Sequence, residues 1–321
     1  MVTTLIALGG NAIKKMFEKG TTEEQLKNCQ ETAKNLAKII LNMNKEDRFV
    51  ITHGNGPQAG NLMVQQESVK NIVPPHPLDI VGAMTQGQIG YMLQQSLINA
   101  FEDLGIELSV ISVVNQVLVD NDDPEFYGDR ASKPVGEFLT KEEVEALKKK
   151  HKDYIFKKVR PKGKRCWRRT VPSPDPIQNV EKDAIKKIVN AGIIVIASGG
   201  GGIPVIIDKE GHYKGVEAVI DKDLAGEKLA EIVNADIFLI LTDIEKVKLN
   251  FGKKNEKNIG KMTLEEAKKY LNEGHFLPGS MEPKVKACIR FLERGGKIAI
   301  ISSLDKAVEA IKGKSGTTIT R

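Results

Sequence analysis

Short apolar runs of β type recur along the chain, and most are followed by a turn and a stretch with helical spacing. TTLIAL (3–8), RFVIT (48–52), IIVIA (193–197), IFLILTD (237–243) and KIAIIS (297–302) are continuous runs rather than alternating ones. Such runs are buried on both faces, the habit of parallel strands sandwiched between helices. Helical patterns lie at 22–42, about 79–104, 179–191, about 222–234 and 283–294. The first places Leu26, Cys29, Ala33, Leu36 and Ile40 on one face, with Thr22 and Gln25 as a capping box. Pro283 suits the first turn of the last. This rhythm predicts an α/β fold, a three-layer α/β/α sandwich around a mostly parallel sheet.

ELSVISVV (107–114) reads as another strand, extended by NQVLVD. HGNGPQAG (53–60) and EGHYKG (210–215) read as turns, and 245–262 as a Lys-rich loop. Thr263 and Glu266 mark a further capped helix. The rhythm breaks over 121–170. That segment holds NDDPEFYGDR, a helix capped by Thr140 and Glu143, and a hairpin around Pro161–Lys164. VPSPDP (171–176) leads back into the main rhythm, so the segment reads as a small insertion.

Charge follows the same division. The formal net charge is +6, but residues 141–170 carry thirteen lysines and arginines against four acids. The rest is slightly acidic, so the basic character belongs to the insertion. It is suited to drawing anions toward a cleft. Its aromatic support is Tyr154, Phe156 and Trp167, and no RNP or KH pattern accompanies it, so no nucleic-acid partner is expected. No run approaches 18 apolar residues and the start lacks a basic leader, so no membrane partner is expected either. Cys29, Cys166 and Cys288 form no C-x-x-C pair, and the five histidines no H-x-x-x-H. A reduced, cytoplasmic chain without a protein-built metal site follows.

Glycines cluster where ligands bind in such sheets, at the carboxyl ends of strands: Gly9-Gly10, Gly54-Asn55-Gly56 and Gly199–Gly202. Backbone amides freed there make anion sites. A P-loop fails, because Val308 stands where its first glycine belongs ahead of Gly313-Lys314-Ser315. The dinucleotide pattern matches Gly54, Gly56 and Ala59, with Asp79 about 20 residues on, but leaves the insertion and the lysines unexplained. Lys222 lies between Asp221 and Asp223 at a helix start, Lys284 follows Gly279-Ser-Met-Glu-Pro, and Lys133 sits in SKPVG. Fixed cations at helix starts stabilise the charge of a phosphoryl group in flight, and an Asp between two lysines holds them in place.

ALGGNA (7–12), THGNGPQ (52–58), LDIVGAMTQGQIGY (78–91), SKPVG (132–136), RRTVPSP (168–174), SGGGGIPV (198–205), GVEAVIDKDLAGEKLA (215–230), LILTD (239–243) and GHFLPGSMEPK (274–284) run in this order over almost the whole chain. Together they resemble the carbamate kinases of the amino-acid kinase superfamily. The resemblance implies an eight-stranded sandwich, a homodimer and a protruding subdomain that folds over the site. An N-terminal lobe (1–215, with the protrusion at about 121–175) would hold carbamate or carbamoyl phosphate, and a C-terminal lobe (216–321) ATP or ADP. Mg²⁺ would come with the nucleotide and be held mainly by it. Carried over by residue, Gly9, Gly10, Asn11, Gly54 and Asn55 fall on the substrate loops. Lys133, Lys222 and Lys284 match the phosphate-contacting lysines and Asp223 their organiser. Gly200, Gly201, Thr242 and Asp243 fall on the nucleotide side, with Lys222 and Lys284. Many acyl-phosphate kinases of this fold carry a lysine before the first glycine pair. Here Ala7-Leu8 stand there, as in the carbamate kinases, and Lys133 is the expected substitute. Another acyl-phosphate kinase and a non-catalytic nucleotide sensor remain as alternatives.

Overall fold

The structure is a computed structural model that describes residues 1–15 and 17–321. An eight-stranded sheet runs through it in the order Lys261–Thr263, Thr317–Thr320, Ile298–Ser303, Ile237–Thr242, Thr3–Leu8, Arg48–His53, Ile194–Ile196, Val110–Ser112. Every neighbouring pair is parallel except Ile298–Ser303 with Thr317–Thr320. Alternate residues of each strand feed two separate cores. Leu5, Ala7, Val50, Phe238, Ile240 and Ile301 pack against helices Lys182–Asn190, Lys222–Ile232 and Met281–Glu293. Ile6, Leu8, Ile51, Leu239, Leu241 and Ile300 pack against Thr22–Leu41, Leu78–Leu104 and Ala307–Ile311. Both faces are dry, which is why the strand runs are continuous in the sequence. The three-layer expectation is met.

Two smaller sheets sit beside this frame. Tyr213–Gly215, Ile203–Ile207, Gln116–Val119 and Pro176–Asn179 form one, in that order. Lys133–Leu139, Trp167–Val171 and Ile155–Lys158 form the other, with helix Lys141–Lys150 against it through Leu139, Val144 and Phe156. This second sheet lies within the segment where the sequence rhythm breaks, and the hairpin around Pro161–Lys164 joins its last two strands.

Several local expectations need correction. The first helix is capped one residue earlier, by Thr21 with Glu24. Gly20 takes a positive φ there and Thr21 is extended, so the Thr21 hydroxyl meets the Glu24 amide. NQVLVD does not extend the preceding strand. The chain breaks at Asn115, whose amide donates to Gln86 and whose side chain bonds Ser198, and Gln116–Val119 joins the other sheet. HGNGPQAG is a turn only through Asn55. Helix Gly56–Val69 begins within it, with Pro57 in the first turn. The Lys-rich loop contains a hairpin of Val247–Leu249 with Lys257–Ile259.

Buried polar bonds hold the Gly199–Gly202 turn. Ser198 takes φ 52° and its amide donates to Asn115 Oδ1 at 2.6 Å. Its hydroxyl accepts from Asn179 Nδ2 at 2.6 Å, and Gln86 Nε2 donates to the Gly199 carbonyl at 3.1 Å. Gly201 has φ 99°, and a Cβ there would lie 2.3 Å from the Ile220 carbonyl oxygen. Gly201→Ala is therefore expected to cost about 2 kcal/mol or more in unfolding free energy. An unfolding midpoint equal to the parent's would refute that packing role.

Candidate active site

Strand register brings the carboxyl-end turns together. Leu8 pairs with His53 and with Leu241, so the turns after these three strands lie side by side. The Gly54 amide donates to the Leu8 carbonyl at 3.1 Å, and the Gly9 amide to the Leu241 carbonyl at 2.7 Å. A Cβ on Gly54 would stand 3.3 Å from Lys222 Cδ and 3.4 Å from the Gly10 nitrogen. Glycine there lets the lysine stem pass between the two turns.

The centre of the site is Asp223, which is 2% exposed. Its Oδ1 accepts from Lys222 Nζ at 2.5 Å and its Oδ2 from Lys284 Nζ at 3.1 Å. Burial alone would raise its pKa, but the two ammonium groups overcome that and hold it at about 2. Burial and the neighbouring Lys284 pull Lys222 below its ordinary value. Lys284 also pays a burial penalty, which Asp223 outweighs, so its pKa is raised. Asp221 caps the helix that carries Lys222, accepting from the Asp223 amide at 2.9 Å. Its other oxygen accepts from Lys133 Nζ at 2.9 Å, which ties the insertion to the lysine pair.

These groups line a cavity of about 310 Å³ together with Gly10, Gly54, Asn55, Gly200 and Arg168. Its ionisable lining is Lys133, Arg168, Lys222 and Lys284 against Asp221 and Asp223, an excess of positive charge. Helices Gly56–Val69 and Met281–Glu293 start at its wall, and neither has a side-chain cap. Asn55, at the first of these starts, donates its side chain to Thr85 Oγ1 at 2.9 Å instead. Open helix starts and surplus cations favour an anion. A second cavity of about 480 Å³ lies beyond the first-strand turn and takes in Gly9, Asn11, Thr242 and Asp243. The expected residues thus divide: Gly200 shares the cavity of Asn55, Thr242 and Asp243 face the other, and Gly201 lines neither.

The model of the "Amino acid kinase family" matches residues 3–302. Carbamate kinase of Thermococcus kodakarensis is 53% identical over 100% of both chains, and that of Clostridium perfringens 46% identical over 99% of both. This chain belongs to the amino acid kinase family, among its carbamate kinases. The solved structure of carbamate kinase from Giardia lamblia bound to AMP-PNP superposes with a TM-score of 0.91 at 39% identity, over 99% of this chain and 98% of that one.

No lysine precedes the Gly9-Gly10 turn, and Lys133 reaches the cavity from the insertion. Sequence reasoning missed two residues that line the cavity and a buried histidine beside Lys222. Asp221 was seen only as a flanking acid, although its place directly before a helix marks a cap. Arg168 was one cation among many in the insertion. His53 ends the second strand, 1% exposed, with Nδ1 3.1 Å from the Gly54 carbonyl. The dinucleotide reading fails, since Asp79 packs where a Cβ on Gly215 would meet it, away from the cavity.

Burial pushes the His53 imidazole down to about 4, Lys222 adds to the effect, and the bond to Gly54 opposes it. The folded value lies below the ordinary 6.5, so the unfolded chain takes the proton first as pH falls. Stability from the neutral ring is intact above pH 6.5 and is lost as pH falls toward 4, about 3 kcal/mol in all. His53→Gln should flatten the pH dependence of unfolding free energy across that window. Parallel curves for parent and variant would contradict the assignment.

Proposed function

We propose that this chain transfers a phosphoryl group reversibly between carbamoyl phosphate and ADP, giving ATP and carbamate. The observation that carries this reading is Asp223 bridging Lys222 and Lys284 beside the Gly10 and Gly54 turns. In one direction a carbamate oxygen attacks the γ-phosphorus and ADP departs. In the other a β-phosphate oxygen of ADP attacks carbamoyl phosphate. Carbamate is already an anion, so no proton has to move. Asp223 cannot serve as a base, because its two lysines hold it ionised and saturated. The residues align two anions and neutralise the charge shared between them.

Lys222 and Lys284 flank the path of the phosphoryl group in this reading. Lys133, through Asp221, brings the insertion's charge to the same place. Gly10 and the turn at Gly54–Asn55, on the first cavity, receive the acyl substrate; Gly9 and Asn11 share the second cavity with Thr242 and Asp243, at the nucleotide side. The N-terminal part, to about residue 215, then serves the acyl substrate and the remainder the nucleotide. Asp221 and Asp223 already carry lysines, so the site's donor set suits Mg²⁺ held by nucleotide oxygens and water. When bound, that ion neutralises phosphate charge.

Homodimer formation belongs to the same reading. Ile80, Met84, Tyr91 and Ile98 are 40–61% exposed along one face of Leu78–Leu104, and Gly87 interrupts the row with open space. Ile111 and Val114 continue the apolar patch. A stripe of this kind on a helix that packs its other face on the sheet suits an isologous contact. Met84→Glu combined with Tyr91→Glu should halve the particle mass in light scattering without changing the circular dichroism. A parent that is already monomeric would refute this contact.

The activity has a direct assay. Protein, Mg-ADP and carbamoyl phosphate should give ATP, at a rate well above that with acetyl phosphate; no ATP would overturn the reading. Lys222→Ala and Lys284→Ala should each lower kcat by about 10²-fold or more while the fold persists. Parent-like turnover in either would remove that lysine from the mechanism.

A further inference from the structure

The insertion's arginines are not equivalent. Arg165 pairs with Glu137 and Glu143, and Arg169 pairs with Glu217 while stacking on Tyr154. Arg160 lies 3.6 Å over the Phe138 ring. Arg168 also lies over the Phe138 ring, at 5.2 Å, but of the four only it lines the central cavity. It is half-buried, and among the described residues it forms no ion pair. Its Nη2 donates to the Gly136 carbonyl at 2.7 Å, and its Nε is buried without a partner. Burial, followed by repulsion from Arg160, lowers its pKa. A half-buried guanidinium with unfilled donors, on the wall of a cavity that already has surplus cations, gains most from an arriving anion.

We propose that Arg168 is a further substrate-binding residue, which with Lys133 clamps the anionic oxygens of the acyl substrate from the side of the insertion. Lys133 is a point charge already turned to Asp221. Arg168 adds a planar fork suited to two oxygens of a phosphate or carboxylate. Its strand, Trp167–Val171, pairs with Lys133–Leu139, which carries Lys133, so both cations ride on one rigid sheet. The insertion therefore contributes selectivity for the acyl partner, while Lys222 and Lys284 lie on helices of the main body.

This inference rests on the carbamate kinase reading, and its test separates the two. Arg168→Gln keeps a donor for the Gly136 carbonyl and loses the charge and the fork; Arg168→Lys keeps the charge alone. In ATP formation, Arg168→Gln is expected to raise the KM for carbamoyl phosphate about tenfold or more, leaving the KM for ADP within about twofold. Arg168→Lys should recover only part of the loss, and both variants should keep the parent's melting temperature. An unchanged KM for carbamoyl phosphate, or an equal rise for ADP, would overturn the proposal. A parent that makes no ATP sinks the functional reading instead. Calorimetric titration with carbamoyl phosphate then decides the inference, which requires weaker binding by Arg168→Gln than by the parent and fails if the two bind alike.

Discussion

A buried carboxylate shared by two ammonium groups is the interaction on which the site depends. Asp223 is almost wholly removed from water, and an ionised carboxylate in that position is costly unless it is paired. Lys222 and Lys284 supply the pairing from two different helices, so the ion triad also locks Lys222–Ile232 to Met281–Glu293. The triad carries one net positive charge, held beside an open cavity. Charge of that sign, already desolvated and fixed, interacts more strongly with phosphate than the same charge in bulk water.

The sheet determines where that triad can act. Thr3–Leu8 lies between Arg48–His53 and Ile237–Thr242, in parallel register with both. Its terminal turn is therefore the midpoint of the carboxyl edge. The Lys222 stem passes Gly54 on its way to Asp223, and any side chain at Gly54 would crowd it. Packing and electrostatics are thus coupled at one place. Gly54, at one of the turns that free backbone amides, also leaves room for the lysine.

The frame was legible because its strands are buried on both faces and carry uninterrupted apolar runs. Lys222, Asp223 and Lys284 were legible because they sit in short motifs at helix starts, and the triad closes through one adjacent pair and one pair 61 positions apart in the chain. Other features depend on distant partners. The chain passes to the other sheet at Asn115, which Gln86 and Ser198 bind, and nothing in SVVNQVLVD announces that break. Helix Gly56–Val69 buries only Gln58, so it has no apolar stripe to reveal it. The first cap was misplaced by one residue because Thr21 and Thr22 both precede suitable partners, and only the positive φ of Gly20 decides between them.

The insertion's charge illustrates how little a local count conveys. Thirteen cations in thirty residues look like a single basic patch, yet the fold sorts them by neighbour. Arg165 and Arg169 are neutralised by glutamates, two of them, Glu137 and Glu217, from outside the basic stretch, and Lys162 and Lys164 stand in solvent. Lys133, upstream of the charge peak, and Arg168, within it, reach the cavity. Solvated charges are screened within a Debye length, about 8 Å at physiological salt, so the exposed lysines act on approach rather than on the bound state. Cations that line the cavity are screened far less. The sign of the insertion was visible in composition, but its chemistry lies in the two side chains that the small sheet carries inward.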